Sequence, residues 1–127
     1  MDVSAGIFAI TIICDDLPAA RSFYNEALQL PVEWEDANSV IFAFGATLVN
    51  LLDAGAAPEL LEPATAATDR DGVAAVYTVK VADVDAAAAD LTRRGVTLLN
   101  GPVTRPWGPR TVSFRDPAGT VWELATE

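Results

Sequence analysis

The chain has 127 residues, 51% of them hydrophobic, which is enough for one domain that buries roughly two thirds of the surface of its unfolded chain. Its 18 acidic and 8 basic residues give a formal net charge of -10, which disfavours nucleic acid and anionic membranes as partners. Histidine is absent and Cys14 is the only cysteine, which excludes an intrachain disulfide, a thiolate zinc cluster and the usual general base of neutral pH. No apolar run approaches the ~20 residues of a membrane span, and the N-terminus lacks the pattern of a signal peptide, so we expect a cytoplasmic protein.

The first half of the chain predicts the element order β-α-β-β-β. A strand is expected over residues 8–14, where β-branched residues dominate. Asp16 is a suitable N-cap for the helix that follows, and Pro31 would stop that helix. Three further strands, separated by turn residues, are predicted over 32–36, 40–44 and 47–52.

The second half repeats this order. A strand over residues 74–81 leads into a helix that Asp83 caps and Gly95 ends. A strand at 96–99 is followed by residues 100–110, which carry prolines and glycines and are therefore predicted to be a loop.

Residues 54–72, between the two halves, are rich in Ala, Pro, Asp, Glu and Thr and show no strand period. They are predicted to be a linker, in which residues 58–61 could form one helical turn. We therefore expect a single domain, 1–127, with a first module at 6–53 and a second at 73–127.

The closing stretch, residues 111–127, predicts two strands joined by a tight turn. Asp116, Pro117 and Gly119 stand at the first, second and fourth positions that a type I turn favours. Alternation along the last strand places Glu123 on the opposite face from Trp122.

A weak internal repeat relates the two halves. Matching Asp16 with Asp83 aligns Thr11 with Thr78 in the opening strands. Two such units in a small α+β domain imply two curved sheets, each with a helix on its outer face and a concave inner face that a ligand can enter.

The sequence resembles the vicinal oxygen chelate superfamily, which includes glyoxalase I, extradiol dioxygenases and bleomycin-sequestering proteins. The resemblance rests on ITIICDDLPAARSFYNEAL near the start and, more specifically, on WGPRTVSFRDPAGTVWEL at the end. It implies two tandem β-α-β-β-β modules that form an open cup, often completed by a second subunit, so a homodimer is expected. It also implies a divalent metal in those members that are enzymes.

The resemblance places the metal-ligand positions of the enzymes at Ala9, Asn50, Val76 and Glu123. Glu123 is a normal ligand and Asn50 could offer a carbonyl oxygen, whereas the other two offer no donor. A zinc site has three or more protein donors. The sequence therefore predicts that no metal and no other cofactor is held here.

Glu123 is the central candidate for a ligand contact, and it would also be the catalytic residue if a reaction occurs. Its alternative role is an ion pair with Lys80 or Arg115. If Glu123 faces the cup, the positions expected to share its inner face are Ala9, Thr11, Asn50, Val76, Thr78 and Lys80.

Two tryptophans and an arginine complete the candidate site. Trp107, between Pro106 and Gly108, could stack on a ligand at the rim or could pin its loop to the domain as a hydrophobic plug. Trp34 is expected in the core or the cup wall. Arg110, like Arg115, could hold a carboxylate or phosphate, or could pair with an acidic side chain.

These observations predict metal-independent binding of a small organic ligand, cationic or aromatic, with sequestration of an antibiotic as one form of that role. One alternative is a glyoxalase-like lyase or isomerase, or a dioxygenase, with an unusual metal site, or a metal-free reaction with Glu123 as the base. Another is an accessory or regulatory subunit whose cup is a dimer interface.

Overall fold

The structure is a computed structural model, and it describes residues 1–126. It contains two four-stranded mixed sheets and few helices, which confirms the predicted α+β class and the two modules. The chain divides into two compact units, residues 1–68 and the residues from 69 onward. The predicted end of the second module, Glu127, lies outside the described residues. No helix in the described part of the chain has the length and apolarity that crossing a membrane requires.

The first unit is built on a sheet with the strand order β1-β4-β3-β2. Its first two neighbours, β1 and β4, are parallel, and the other pairs are antiparallel. The strands are β1 (Ala9–Cys14), β2 (Trp34–Glu35), β3 (Ser39–Phe44) and β4 (Thr47–Asp53). Only two residues of the strand predicted over 32–36 are therefore in β-structure.

A helix covers one face of this sheet. It begins as α1 (Leu17–Ser22) and continues as a π-helical segment over Phe23–Ala27. The predicted cap is confirmed, because the Asp16 carboxylate accepts a hydrogen bond of 3.1 Å from the amide of Ala19. The helical segment ends before Gln29, whose φ of 56° leaves the helical region ahead of Pro31.

Aromatic packing fixes the covered face of the first sheet. Tyr24 is fully buried and stacks on Phe42 with ring centroids 5.6 Å apart. Its ring also meets the edge of Phe44 at 6.4 Å. Because alternate residues of a strand point to opposite faces, Asn50 and Thr11 lie on the other side of the sheet.

The segment between the two sheets is partly helical. A 3-10 turn (Ala54–Ala56) leads into the short helix α2 (Ala57–Leu61), which contains the helical turn expected at 58–61. Both belong to the first compact unit.

The second unit repeats the arrangement with the strand order β5-β8-β7-β6. Again the first pair, β5 and β8, is parallel and the others are antiparallel. The elements are β5 (Val76–Lys80), α3 (Val84–Arg93), β6 (Leu98–Thr104), β7 (Arg110–Arg115) and β8 (Val121–Ala125). The Asp83 carboxylate caps α3 by accepting a hydrogen bond of 3.0 Å from the amide of Ala86, as predicted.

The prediction of a loop over residues 100–110 is wrong at both ends of this range. Strand β6 runs through Gly101 and Pro102 to Thr104, and β7 begins at Arg110. Since β6 is an edge strand with register shifts on either side of Asn100, it tolerates residues that a central strand would exclude.

Helix α3 covers one face of the second sheet. Val84 and Ala88 form a buried cluster with Val112, and Leu98 and Leu124 pack against it. Alternation then directs Ser113 and Glu123 to the opposite face.

The turn between β7 and β8 has the predicted form. The amide of Gly119 donates to the carbonyl of Asp116 at 3.0 Å, which closes the four-residue turn. The buried Asp116 carboxylate also accepts hydrogen bonds from the amides of Ala118 and Thr120, at 2.9 and 2.8 Å. The motif that carried the family resemblance is therefore stabilised by its own aspartate.

Candidate functional site

A row of polar side chains crosses all four strands of the second sheet on the side opposite α3. Strand register places Thr78 of β5 opposite Glu123 of β8, Glu123 opposite Ser113 of β7, and Ser113 opposite Asn100 of β6. We call this side the Glu123 face. On the same face of β5, Val76, Thr78 and Lys80 are all exposed, so a ligand can reach the face at this strand.

Glu123 is half-buried and its orientation is set by its neighbour on the parallel strand. The hydroxyl of Thr78 donates a hydrogen bond of 3.0 Å to Oε1 of Glu123. The alternative pairing with Arg115 is not formed, because that guanidinium donates to the backbone carbonyls of Arg70, Asp71 and Gly119 at 3.1, 2.8 and 3.2 Å. Arg115 therefore fastens the β7–β8 turn to the start of the unit.

Ser113 occupies the middle of the polar row. Ser113 is 5% exposed, and its hydroxyl has no hydrogen-bond partner among the described residues. A buried hydroxyl without a partner is uncommon, because most buried polar atoms are satisfied by protein or by ordered water. Ser113 therefore has an unused donor and acceptor beside Glu123.

Arg105 is held over the same face. Its Nη2 donates to Oδ1 of Asn100 at 2.6 Å, and its Nε donates to Oγ1 of Thr111 at 2.9 Å. Thr111 is two residues from Ser113 and so lies on the same face of β7. The guanidinium is thereby fixed by two neutral side chains.

Sequence reasoning missed Ser113, Asn100 and Arg105 as site residues. Alternation along TVSFR could have placed Ser113 on the same face as Glu123, because the strand itself was predicted. Asn100 and Arg105 fall in the segment that the sequence predicts to be a loop, and a loop has no register from which a shared face can be read.

The matching positions of the first sheet also form a row on the side opposite the helix, and two of its four side chains are polar. Thr11 lies opposite Asn50, Asn50 opposite Ile41, and Ile41 opposite Trp34. Oδ1 of Asn50 is buried and has no hydrogen-bond partner in the described part of the chain, and Trp34 is 53% exposed. Ala9, one pair further along β1, faces Leu48.

The two rows agree with the internal repeat of the sequence. Thr11 and Thr78 hold matching positions in their opening strands, and Asn50 and Glu123 are their respective partners on the closing strand. The same backbone position thus carries a neutral amide in one module and a carboxylate in the other.

Trp107 lies in the hairpin loop between β6 and β7 and is 74% exposed. The amide of Gly108 donates to the carbonyl of Arg105 at 3.0 Å, which closes a tight turn around Trp107. Such exposure is incompatible with the hydrophobic plug that was one alternative for this residue. Trp107 is therefore available for stacking, two residues from Arg105.

Arg110 is directed away from the polar row. Its Nε and Nη2 form a bidentate pair with the Asp85 carboxylate of α3, at 2.7 and 2.8 Å. The hydrogen bond from Arg110, reinforced by its charge, lowers the pKa of Asp85 from its ordinary value. The acidic partner that was one alternative for Arg110 is therefore Asp85.

The donors present do not fit the divalent metal that the family resemblance implies. Ala9 and Val76 stand at two of the four implied positions, and their side chains have no ligating atom. The side chains beside Glu123 in its row are the hydroxyls of Thr78 and Ser113, which are poor ligands compared with carboxylate or imidazole. Within residues 1–126, no group of three Asp, Glu, Cys or His side chains is placed to hold a metal ion.

Comparison with known proteins decides the family. A sequence model of the Glyoxalase/Bleomycin resistance protein/Dioxygenase superfamily matches residues 6–124. The chain belongs to this superfamily. It is 27% identical over 122 residues to the protein YraH of Bacillus subtilis (strain 168), covering 93% of this chain and 95% of YraH.

Solved structures share the superfamily fold. A glyoxalase/bleomycin resistance protein/dioxygenase from Nocardioides superposes with a TM-score of 0.84 at 22% identity, covering 99% of this chain and 85% of that chain. A lactoylglutathione lyase from Agrobacterium tumefaciens gives a TM-score of 0.76 at 21% identity, covering 96% and 93%. The resemblance drawn from the closing stretch of the sequence is thus confirmed at the level of superfamily and fold.

Proposed function

We propose that this superfamily member binds a small organic ligand on the Glu123 face without a resident metal. The observation that carries the proposal is the composition of the polar row: Glu123 is accompanied by hydroxyl and amide side chains where a metal site would need carboxylates or imidazoles. Such a row favours recognition by hydrogen bonds over Lewis-acid chemistry.

Glu123 is the polar anchor of the proposed site. Thr78 occupies one lone pair of Oε1, so Oε2 and the remaining lone pair can accept hydrogen bonds from a ligand. An ammonium, amidinium or similar donor suits a carboxylate best. The net charge of -10 would raise the local concentration of such a cationic ligand.

Exposed aromatic side chains support a ligand with a flat apolar part. Trp107 presents most of its ring surface in the β6–β7 hairpin, and stacking on such a ring contributes about 0.5–1.5 kcal/mol beyond area burial. Sequestration of a cationic, aromatic antibiotic is a form of this function. We propose that the protein acts as a cytoplasmic homodimer in that role.

The test is a binding screen with a panel of cationic aromatic compounds, bleomycin included, read by tryptophan fluorescence and by thermal shift. For any compound that binds, Glu123→Gln should weaken binding about 10-fold or more, because it removes a charge-assisted hydrogen bond. Glu59→Gln is the matched control, since it makes the same charge change at an exposed residue of α2. Equal losses in both variants would show only a general electrostatic effect and would contradict the assignment of Glu123.

Metal analysis of protein purified without chelator tests the second half of the proposal. We expect far less than one divalent ion per chain. A tightly held ion at about one per chain, lost in Glu123→Gln, would overturn metal-independent binding and would favour a metal-dependent lyase, isomerase or dioxygenase. Turnover of a bound compound without metal, abolished by the same substitution, would instead make Glu123 a general base.

A further inference from the structure

Arg105 differs from three other arginines of the chain in its partners. Arg21 pairs with Glu35 at 2.6 Å, Arg110 pairs with Asp85 at 2.7 Å, and Arg93 pairs with Asp90. Arg105, in contrast, bonds through its side chain to the neutral oxygens of Asn100 and Thr111. In a chain of net charge -10, a guanidinium that pairs with no carboxylate of residues 1–126 has no counter-charge bonded to it and can attract another anion.

The guanidinium of Arg105 is also held in one orientation. Its Nε and one hydrogen of Nη2 are used by Thr111 and Asn100, which leaves both hydrogens of Nη1 and one of Nη2 for a ligand. The backbone is fixed as well, because the amide of Arg105 donates to the carbonyl of Pro109 at 2.8 Å and its carbonyl accepts from Gly108 at 3.0 Å. A donor fork that is already ordered loses little entropy when an anion binds.

A second observation on the same face is a buried polar group that is not satisfied by the protein. Ser113 stands opposite Asn100, the residue that orients Arg105, and no group within residues 1–126 forms a hydrogen bond with its buried hydroxyl. The face therefore has an unsatisfied hydrogen-bonding group near the fixed guanidinium.

We propose that Arg105 is an oxyanion-binding residue, which holds a carboxylate or phosphate group of the ligand. The inference rests on the proposed function and extends it, because Glu123 lies on the same face as Arg105. Glu123 is two strands from Asn100, which corresponds to about 10 Å across the sheet. The ligand class becomes an organic molecule with a hydrogen-bond-donating or cationic group and an acidic group separated by up to roughly that distance. The sequence analysis considered Arg110 and Arg115 for binding a carboxylate or phosphate. We assign this role to Arg105, because Arg110 is paired with Asp85 and Arg115 with backbone carbonyls.

The test is a titration with inorganic phosphate and, separately, with acetate at constant ionic strength in chloride, followed by the Nε–Hε NMR resonance of Arg105. We expect a saturable shift of this resonance. Three variants, each lowering the net charge by one, separate the causes: Arg105→Gln removes the fork, Asn100→Asp gives the fork an isosteric carboxylate partner, and Arg93→Gln removes an arginine elsewhere. The first two should weaken anion binding about 10-fold or more, and the third should leave it within about twofold.

Arg105→Gln lacks the Nε–Hε resonance that reports binding, so all variants are compared through tryptophan fluorescence and the amide shifts of β7. If Arg105→Gln fails to unfold cooperatively, Asn100→Asp still decides, because it keeps both the arginine and the side-chain shape. The proposal is overturned by the absence of a saturable shift, by wild-type binding in Asn100→Asp, or by equal weakening in Arg93→Gln. Tighter binding of acetate than of phosphate would assign the acidic group as a carboxylate, and the reverse would assign a phosphate.

The titration uses only phosphate and acetate and none of the cationic aromatic compounds of the screen. Its failure would therefore remove the acidic group from the description of the ligand and leave the role of Glu123 to the compound screen, where Glu123→Gln is the decisive variant.

Discussion

Thr78 donates a hydrogen bond of 3.0 Å to Oε1 of Glu123 from the directly opposite position on the neighbouring parallel strand. One carboxylate oxygen is therefore oriented by the protein, while the other is left for a partner. In the first module the matching pair differs, because Oδ1 of Asn50 has no hydrogen-bond partner among residues 1–126 although Thr11 lies opposite it. The two modules thus share a backbone position but prepare it for different contacts.

The first prediction concerns this hydrogen bond. In a double-mutant cycle of Thr78→Val and Glu123→Ala, we expect a coupling energy of about 0.5–1 kcal/mol in the free energy of unfolding, measured in urea. The matched cycle of Thr11→Val and Asn50→Ala should give a coupling close to zero. Equal coupling in the two modules would mean that the Thr78 bond adds nothing beyond side-chain proximity.

A second prediction contrasts two positions on one face of β7. Ser113→Ala removes a buried hydroxyl that has no partner among the described residues. Its free energy of unfolding should therefore be about 1 kcal/mol higher than that of the wild type. Thr111→Val, two residues away, removes the acceptor that holds Nε of Arg105 and should destabilise by about 1–2 kcal/mol. Thermal and urea unfolding check both signs. A loss of stability in Ser113→Ala would indicate that its hydroxyl is satisfied in solution, for example by an ordered water.

The third prediction is a pH dependence of stability that arises from Asp85, in the first turn of α3. Because the hydrogen bond from Arg110 lowers the pKa of Asp85 in the folded chain, the pair stabilises the fold above the ordinary pKa of Asp and loses this contribution as the pH falls below about 4. Asp85→Asn should therefore be less stable than the wild type at pH 7, and the two should converge near pH 2. A difference that persists unchanged at pH 2 would assign the effect of the substitution to something other than the ionised carboxylate.

The sequence was sufficient to predict those features that depend on local chemistry. Asp16 and Asp83 were identified as helix caps because an acidic side chain preceding an apolar helical stripe has few other roles. The turn at Asp116 followed in the same way from turn chemistry. The face of Glu123 followed from period-two alternation, which holds wherever a strand is continuous.

What could not be predicted depends on pairing between strands. Gly101 and Pro102 disfavour a strand locally, yet β6 passes through them because an edge strand with bulges needs fewer of its backbone hydrogen bonds. Because residues 100–110 are predicted to be a loop, the sequence does not place Asn100 and Arg105 in the candidate site. The partner of Arg110 was equally beyond reach, because 25 residues separate it from Asp85.

The last prediction tests the turn that carries the family signature. Gly119 has a φ of 90°, and a Cβ atom built on it would lie 2.4 Å from the carbonyl oxygen of Arg70. Arg115 donates hydrogen bonds to that same oxygen, at 3.1 Å, and to the carbonyl of Gly119, at 3.2 Å, so the turn and residue 70 cannot separate without breaking this contact. Gly119→Ala should therefore lower the free energy of unfolding by about 3 kcal/mol or more, since backbone strain and a clash with main-chain atoms add together.

Gly45→Ala is the control, because its φ of 59° is also positive but no atom of the described residues lies within 4 Å of the added Cβ. It should lower the free energy of unfolding by about 1 kcal/mol. Urea unfolding of the two variants measures the difference, and equal losses would show that the approach of Arg70 to the turn contributes nothing beyond the strain of a positive φ.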